Sequence, residues 1–146
     1  MSHWSYKRKP FTDIPDEAFG FIYRITDKKK RKKYIGRKYF YSTRRVKQKG
    51  KTRRKVVTKE SNWRVYVGSS KLLTESLLTH GKSNFTFEIL AIGYTKGLVN
   101  YMEENIQHKL DVLTNPAYYN DSIGSRKFIG IKKDDRLKKS IVSIHL

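Results

Sequence analysis

The sequence predicts an α+β fold in which a small three-stranded antiparallel sheet is flanked by helices. Three observations predict this fold. The sequence has two strand-like segments joined by a polar turn, a third strand-like segment, and two segments of helical period. At 146 residues the chain is long enough for one domain with its own core and short for two. We therefore expect a main domain at 19–123, with an N-terminal arm at 1–18, a basic insertion at about 41–60 and a basic C-terminal tail at 124–146.

The first two strands are predicted at 19–26 and 33–40. Side chains of alternating polarity in the first segment are typical of a strand with one buried face. The cation-rich residues between the two segments form a short polar turn, which favours an antiparallel hairpin. Such a hairpin places Tyr23 and Tyr34 on neighbouring strands, with their hydroxyls near one site.

Two helices and a third strand follow. Ser69 and Ser70 are candidate N-caps for a helix that ends before Gly81, a residue suited to the position after a helix. The apolar residues of 85–92 predict the third strand, and those of 96–113 predict a long second helix.

The charge predicts a nucleic acid partner. The chain has 33 Lys and Arg against 13 Asp and Glu, which gives a net charge of +20, and residues 28–59 contain seventeen basic residues and no acidic one. The segment 41–60 has few apolar residues, so we expect it to be mobile in the absence of DNA. The cations expected to contact the phosphates are Arg37, Arg45, Lys47, Lys49, Lys51, Arg53, Arg54 and Lys55.

Other classes of protein are disfavoured. The absence of cysteine excludes disulfides and thiolate metal sites. There is no signal peptide, long apolar run, basic amphipathic helix or lipidation motif, so we expect a cytoplasmic protein that does not bind membranes.

The tripeptides Phe21-Ile22-Tyr23 and Tyr34-Ile35-Gly36 resemble the paired motifs of the GIY-YIG nucleases. The leading Gly is displaced by one position, to Gly20, and the resemblance covers roughly residues 20–120. It implies a compact three-stranded sheet with helices around it, and hydrolysis of DNA phosphodiester bonds.

The resemblance also implies a metal-binding Glu on the helix after the third strand, which is Glu103 here. On a helical wheel Glu103 lies at the margin of the stripe that contains Leu98, Met102 and Ile106, whereas Glu104 faces away. One carboxylate with water and substrate phosphate suits a hard divalent cation, Mg²⁺ or Mn²⁺.

The tyrosines and a cation complete the expected catalytic set. The resemblance implies that Tyr23 and Tyr34 position or activate the attacking water, and that an Arg eight residues after Gly36 stabilises the phosphoryl charge. That count gives Arg44. Lys38 is an alternative because it shares a strand face with Gly36, and Arg37 and Arg45 are further substitutes.

Two other residues are expected at the site. Gly36 lets the backbone or a ligand approach closely, because it has no Cβ. Asn120 matches an Asn that braces the site in relatives, although a turn Asn is an equal alternative.

The match has two departures. Gln48 stands where many relatives have His or Tyr, and another tripeptide of the same type, Tyr66-Val67-Gly68, is followed by His80 at the family distance. Its own Arg position is Ser76, so we prefer Tyr34-Ile35-Gly36 and allow the helix near 70–80 to be the family's first helix after an insertion.

The resulting hypothesis is a metal-dependent DNA endonuclease similar to the stand-alone, phage-type homing members of the family. It would act on double-stranded DNA, and a double-strand break would need two visits or a transient dimer. The alternatives are a non-catalytic nucleic-acid-binding protein, and a restriction or repair nuclease on the same fold.

Overall fold

The central sheet is larger than predicted. A computed structural model of the chain describes residues 1–124 and the backbone of 126–127, and its main sheet has five strands in the order β2-β1-β7-β3-β4. The strands are β1 Ser5–Tyr6, β2 Lys9–Pro10, β3 Gly20–Asp27, β4 Lys32–Tyr39 and β7 Phe85–Gly93.

The α+β class is confirmed, but the expectation of a three-stranded antiparallel sheet is wrong in number and direction. The antiparallel set β7-β3-β4 is present, and β1 then pairs in parallel with β7 and antiparallel with β2. Two short strands within residues 5–10 therefore extend the sheet. Trp4, only 2% exposed, donates from its indole to the carbonyl of Trp63 at 2.6 Å.

The basic insertion at 41–60 contains a β-hairpin, for which the sequence predicted no strands. Strands β5 Tyr41–Val46 and β6 Lys55–Glu60 pair antiparallel as a separate two-stranded sheet. Nearly all of its side chains are exposed, because a two-stranded ribbon with few apolar residues has no core to enter.

Two helices complete the main domain. In the described part of the chain, no helix is long and apolar enough to span a membrane. Helix α1 is Lys71–His80, with Ser70 as its N-cap and Gly81 after its end, as predicted. Helix α2 is Lys96–Lys109, shorter than the predicted 96–113. A short pair, β8 Ser122–Ile123 and β9 Arg126–Lys127, follows, and the rest of the predicted tail, at 125 and 128–146, lies outside the described residues.

Strand β3 is buried on both faces, and this places the core. Phe21, Tyr23 and Ile25 point into an aromatic cluster with Trp4 and Trp63. On the other face, a second cluster joins β3 and β4 to α2. Alternation along one central strand thus divides the core into two layers, with α2 covering one of them.

Candidate active site

Tyr23 and Tyr34 come together over Gly36. Tyr23 lies directly opposite Gly36 in the β3-β4 ladder, and the two tyrosine ring centroids are 6.1 Å apart. A Cβ built on Gly36 would approach within 2.6 Å of Tyr23 Cζ and 3.1 Å of Tyr34 Cε1, and still closer to the Tyr23 hydroxyl. The position therefore requires glycine for the reason predicted, close approach of another group.

The tripeptide Tyr66-Val67-Gly68 reaches the same place. The Tyr66 ring packs edge-on against Tyr23 with centroids 6.1 Å apart, and Ser69 Oγ lies 3.1 Å from the Tyr34 hydroxyl. Gly68, between them, has a left-handed φ of 88°. This tripeptide and Tyr34-Ile35-Gly36 thus build one pocket together. Tyr66 and Ser69 are not among the predicted site residues, because each tripeptide matches the motif by itself and only the fold brings the two together.

Glu103 lies in the middle of the buried face of α2, not at its margin. The buried residues of the helix are Val99, Glu103 and Gln107, whereas Leu98 is 43% exposed. The buried row runs at intervals of four residues, since α2 packs along the β3-β4 face of the sheet. Glu104 is exposed, as predicted.

A pocket of about 280 Å³ joins these residues. Because β4 is the outermost strand on this side of the sheet, side chains from both of its faces can reach one pocket. The residues that line it are Tyr23, Tyr34, Gly36, Arg37, Tyr66, Ser69, Glu103, Gln107, Ser122 and Gly124. Glu103, which comes from the helix on the other face of the sheet, therefore lines the same pocket as both tyrosines.

Arg37 forms an ion pair with Glu103 inside the pocket, with Nη1 and Oε1 2.5 Å apart. Burial raises the pKa of Glu103, which is 7% exposed, and the Arg37 charge opposes that rise. Burial lowers the pKa of Arg37, but the Glu103 carboxylate more than compensates and raises it. The net pKa of Glu103 remains raised, and the Arg37 guanidinium is the group that favours its ionised form in this shielded position.

Both phenols are held in their protonated form. Burial raises the pKa of Tyr23 well above 10, and the neighbouring Tyr34, Tyr66 and Glu103 raise it further. Burial also raises the pKa of Tyr34, although its contact with Ser69 opposes the rise. A protonated phenol donates a hydrogen bond, so the chemistry available here is donation to a water or a phosphoryl oxygen.

The other predicted cations lie outside the pocket. Arg44 lies on exposed strand β5, opposite Val57 in the hairpin, and does not line the pocket. The Lys38 ammonium sits 4.1 Å from the centroid of the Tyr66 ring, so it is adjacent to the pocket without lining it. The predicted phosphate-contacting cations Arg45, Lys47, Lys49, Lys51, Arg53, Arg54 and Lys55 are exposed on the hairpin.

The location of Arg44 has a simple cause. Counting eight residues from Gly36 assumes that the family's first helix follows directly, but the hairpin intervenes and α1 begins only at Lys71. The cation that the fold brings to Glu103 is Arg37, which was predicted only as a substitute.

Asn120 braces β4 beneath the pocket. Its Oδ1 accepts from the Ile35 amide at 3.1 Å, and its Nδ2 donates to the Ile35 carbonyl at 2.7 Å. Gln107 of α2 donates to the same carbonyl at 3.0 Å. Asn120 is 2% exposed, so these bonds satisfy buried backbone groups one residue before Gly36. The turn alternative does not describe this geometry.

Glu103 suits a divalent cation that is held partly by water and substrate. In the described part of the chain no three His, Asp or Glu side chains group together as a metal site. Glu103 is the carboxylate that lines the pocket, and the other lining groups are mainly neutral. A hard cation that keeps several waters, such as Mg²⁺, fits this donor set.

Comparison with known families matches most of the chain to a nuclease domain. The family model for the GIY-YIG domain of the endonuclease segE matches residues 4–123, which is most of the chain. The corresponding comparisons with curated proteins and with solved structures give no significant match.

Proposed function

The chain belongs to the GIY-YIG nuclease family, and we propose that it is a metal-dependent endonuclease that cuts double-stranded DNA at the pocket around Gly36. The observation that carries the proposal is the meeting of two protonated phenols, a guanidinium and a buried carboxylate in one pocket. Those groups are what in-line attack of water on a phosphodiester needs: orientation of the water, and stabilisation of charge on the phosphoryl oxygens.

Glu103 would hold the metal, Mg²⁺ or Mn²⁺, with water and phosphate oxygens as the other ligands. A divalent ion there supplies Lewis acidity toward the phosphate and lowers the pKa of a bound water. The role of the chain is to hold Glu103 in place, which its burial on α2 supports, while the ion pair with Arg37 favours the ionised carboxylate against the effect of burial.

Tyr23 and Tyr34 would orient the attacking water by hydrogen bonding. Their raised pKa values favour this role over proton abstraction, since neither phenol is ionised near neutral pH. Tyr66 and Ser69 would hold the two phenols in place from the opposite wall.

Arg37 is the best candidate for the cation that stabilises the phosphoryl charge. Its hydrogen bonds to groups within residues 1–124 use Nη1, to Glu103, and Nε, to the Tyr39 hydroxyl at 3.2 Å. Nη2 then remains for a phosphate oxygen, in the fork geometry that a lysine lacks. Lys38 would add positive charge beside Arg37. Arg44 would stabilise the phosphoryl charge only if DNA binding brought the hairpin to the pocket.

The exposed cations of the β5-β6 hairpin would hold the duplex backbone. Phosphate contacts position a protein on DNA without specifying sequence, so this surface accounts for affinity more than for a target site. Each pocket would cut one strand, so a double-strand break, as in homing-type action, would need two visits or a transient dimer on DNA.

Supercoiled plasmid tests the proposal directly. The wild-type protein with Mg²⁺ is expected to produce nicked and then linear DNA, and EDTA is expected to abolish both products. Glu103→Gln is expected to lose cleavage while it keeps salt-sensitive DNA binding. The matched control is Glu104→Gln, because Glu104 is the exposed neighbour on the same helix turn.

The outcomes separate an enzyme from a binding protein. Binding without cleavage by the wild-type protein, under any divalent ion tried, would support a non-catalytic nucleic-acid-binding protein. Unchanged cleavage by Glu103→Gln would show that the cutting site lies elsewhere.

A further inference from the structure

A second cavity, of about 640 Å³, lies between the edge strand β4 and the base of the β5-β6 hairpin. Lys38 and Tyr39 of β4 form one side, and Thr43 and Thr58 of the hairpin form the other. Lys96, the first residue of α2, lies at one end. We call this cavity the hairpin groove.

The hairpin groove adjoins the active-site pocket, because the two cavities share lining residues. Arg37 and Tyr66 line both cavities. A polymer that lies in the groove would therefore contact two residues that also line the pocket around Glu103.

The charge and polarity of the groove match a phosphate backbone. Its lining includes three cations, Arg37, Lys38 and Lys96, and no Asp or Glu. Lys38 is half-buried, and burial lowers its pKa, yet it takes part in no ion pair within residues 1–124. A partly desolvated cation without a protein anion is stabilised when an anionic ligand arrives.

The hairpin presents an uncharged polar surface to the groove. Thr43 and Thr58 are directly paired across the hairpin, so their side chains share one face. Arg44 and Val57 are the next pair along, and therefore lie on the opposite face. Threonine hydroxyls donate hydrogen bonds to phosphate oxygens, and Tyr41, 43% exposed at the base of the hairpin, offers an aromatic ring to a sugar or base.

We propose that the hairpin groove is the track for the cut strand: the sugar-phosphate backbone next to the scissile phosphate lies between β4 and the Thr43-Thr58 face of the hairpin. This inference rests on the proposed function, because it takes DNA as the substrate. It assigns the hairpin a second role, since one of its faces guides the strand toward the pocket while its exposed cations hold the duplex.

Single cysteines test the groove, because the chain has no cysteine of its own. Thr58→Cys places a thiol on the groove face, and Val57→Cys places one on the adjacent residue of the opposite face. Alkylation of each full-length variant by iodoacetamide is followed in EDTA, with and without a mixed-sequence DNA duplex. The expected result is that DNA slows alkylation of the cysteine at 58 several-fold more than alkylation of the cysteine at 57.

Equal protection of both cysteines, or greater protection of the one at 57, would overturn the proposal, because the duplex would then contact the hairpin without entering the groove. Thr79→Cys, on the exposed side of α1 and away from the groove, reports any general effect of DNA on the reagent.

Lys96 gives an independent measurement. Removal of one phosphate contact lowers the slope of log affinity against log salt by about 0.9. Lys96→Ala is expected to show this change, and Lys109→Ala, an exposed lysine at the other end of α2, is expected to keep the wild-type slope. An unchanged slope for Lys96→Ala would contradict a phosphate at that end of the groove.

Failure of the inference and failure of the proposed function give different results. The cysteine and salt experiments need no cleavage, so a protein that binds in the groove but never cuts would refute the nuclease proposal alone. A protein that cuts in a Glu103-dependent manner, with Thr58→Cys unprotected, would refute the groove alone.

Discussion

Arg37 and Glu103 are ion-paired although they come from different layers of the fold. Arg37 lies on the edge strand and Glu103 on α2, and their side chains are 38% and 10% exposed. The carboxylate is thus largely removed from water while its partner remains partly hydrated. A buried charge that loses its partner destabilises the fold, because no ion pair then offsets the free-energy cost of removing the charge from water.

We expect this pair to be coupled in a double-mutant cycle of unfolding free energy in EDTA. Arg37→Ala is expected to lower the unfolding free energy by about 1–2 kcal/mol more when Glu103 is present than in the Glu103→Gln background. The reason is that loss of Arg37 leaves the Glu103 carboxylate charged and unpaired, whereas glutamine carries no charge. Urea unfolding followed by circular dichroism measures the cycle. The more exposed pair of Arg64 and Glu60 is the control, and its own double-mutant cycle is expected to give a smaller coupling. A coupling near zero would mean that the pair does not form in solution.

Gly36→Ala is expected to impair both packing and cleavage. The new methyl group would meet Tyr23 Cζ at 2.6 Å, so the buried tyrosine would have to move, at a cost of about 1–3 kcal/mol. Thermal unfolding and plasmid nicking measure the two effects. Gly97→Ala is the matched control: a Cβ there meets nothing within 4 Å, and alanine favours α2 by up to about 1 kcal/mol. Wild-type cleavage by Gly36→Ala would show that the position of Tyr23 is unimportant.

Much of the fold could be predicted because its signals are local. Strands β3, β4 and β7 are long enough to show a pattern, and Ser70 and Gly81 mark the two ends of α1. Strands β1 and β2 have two residues each and exist only because β7, some eighty positions away, offers an edge for pairing. No local pattern reports such a contact.

The hairpin was missed for a related reason. Its side chains are mostly exposed on both faces, so no alternation of apolar and polar residues marks its strands. The missed hairpin then affected the site, because the spacing from Gly36 led to Arg44. The signal for Tyr66 and Ser69 is the tripeptide Tyr66-Val67-Gly68, which Ser69 follows directly. That signal identifies them as site residues only if the tripeptide shares a pocket with Gly36.

Asn120→Asp is expected to destabilise the protein despite its nearly equal size. One carboxylate oxygen can still accept from the Ile35 amide, but the other faces the Ile35 carbonyl, to which Asn120 Nδ2 now donates at 2.7 Å. The loss of this bond and the repulsion between two buried acceptors are expected to cost about 2–3 kcal/mol at neutral pH, measured by urea unfolding.

Asn115→Asp is the matched control for that change. Asn115 is exposed, and its Oδ1 accepts from the Ala117 amide at 2.9 Å, a role that aspartate keeps. Its unfolding free energy is expected to stay within about 0.5 kcal/mol of the wild type. If Asn120→Asp proved as harmless as Asn115→Asp, the clamp on Ile35 would not contribute to stability.

Asp27 is expected to make the stability of the fold depend on pH in the acid range. It is fully buried, and it accepts hydrogen bonds from Ser76 Oγ at 2.5 Å, the Tyr119 hydroxyl at 2.7 Å and Asn84 Nδ2 at 2.8 Å. Burial alone would raise the pKa of Asp27, but these bonds outweigh it and lower the pKa from 3.8 to about 2.

The folded pKa of Asp27 is therefore below the unfolded one, so the unfolded chain binds the proton more readily between the two values. The stabilisation is complete above about pH 4, decreases as the pH falls from 3.8 toward 2, and amounts to roughly 2 kcal/mol. Urea unfolding as a function of pH measures this stabilisation.

Asp27→Asn is expected to be less stable than the wild type at neutral pH and to lose less stability than the wild type between pH 4 and 2. Asp16→Asn, at an exposed position, is the control and should follow the wild-type curve. Parallel curves for Asp27→Asn and the wild type would show that the buried carboxylate is not the group that titrates.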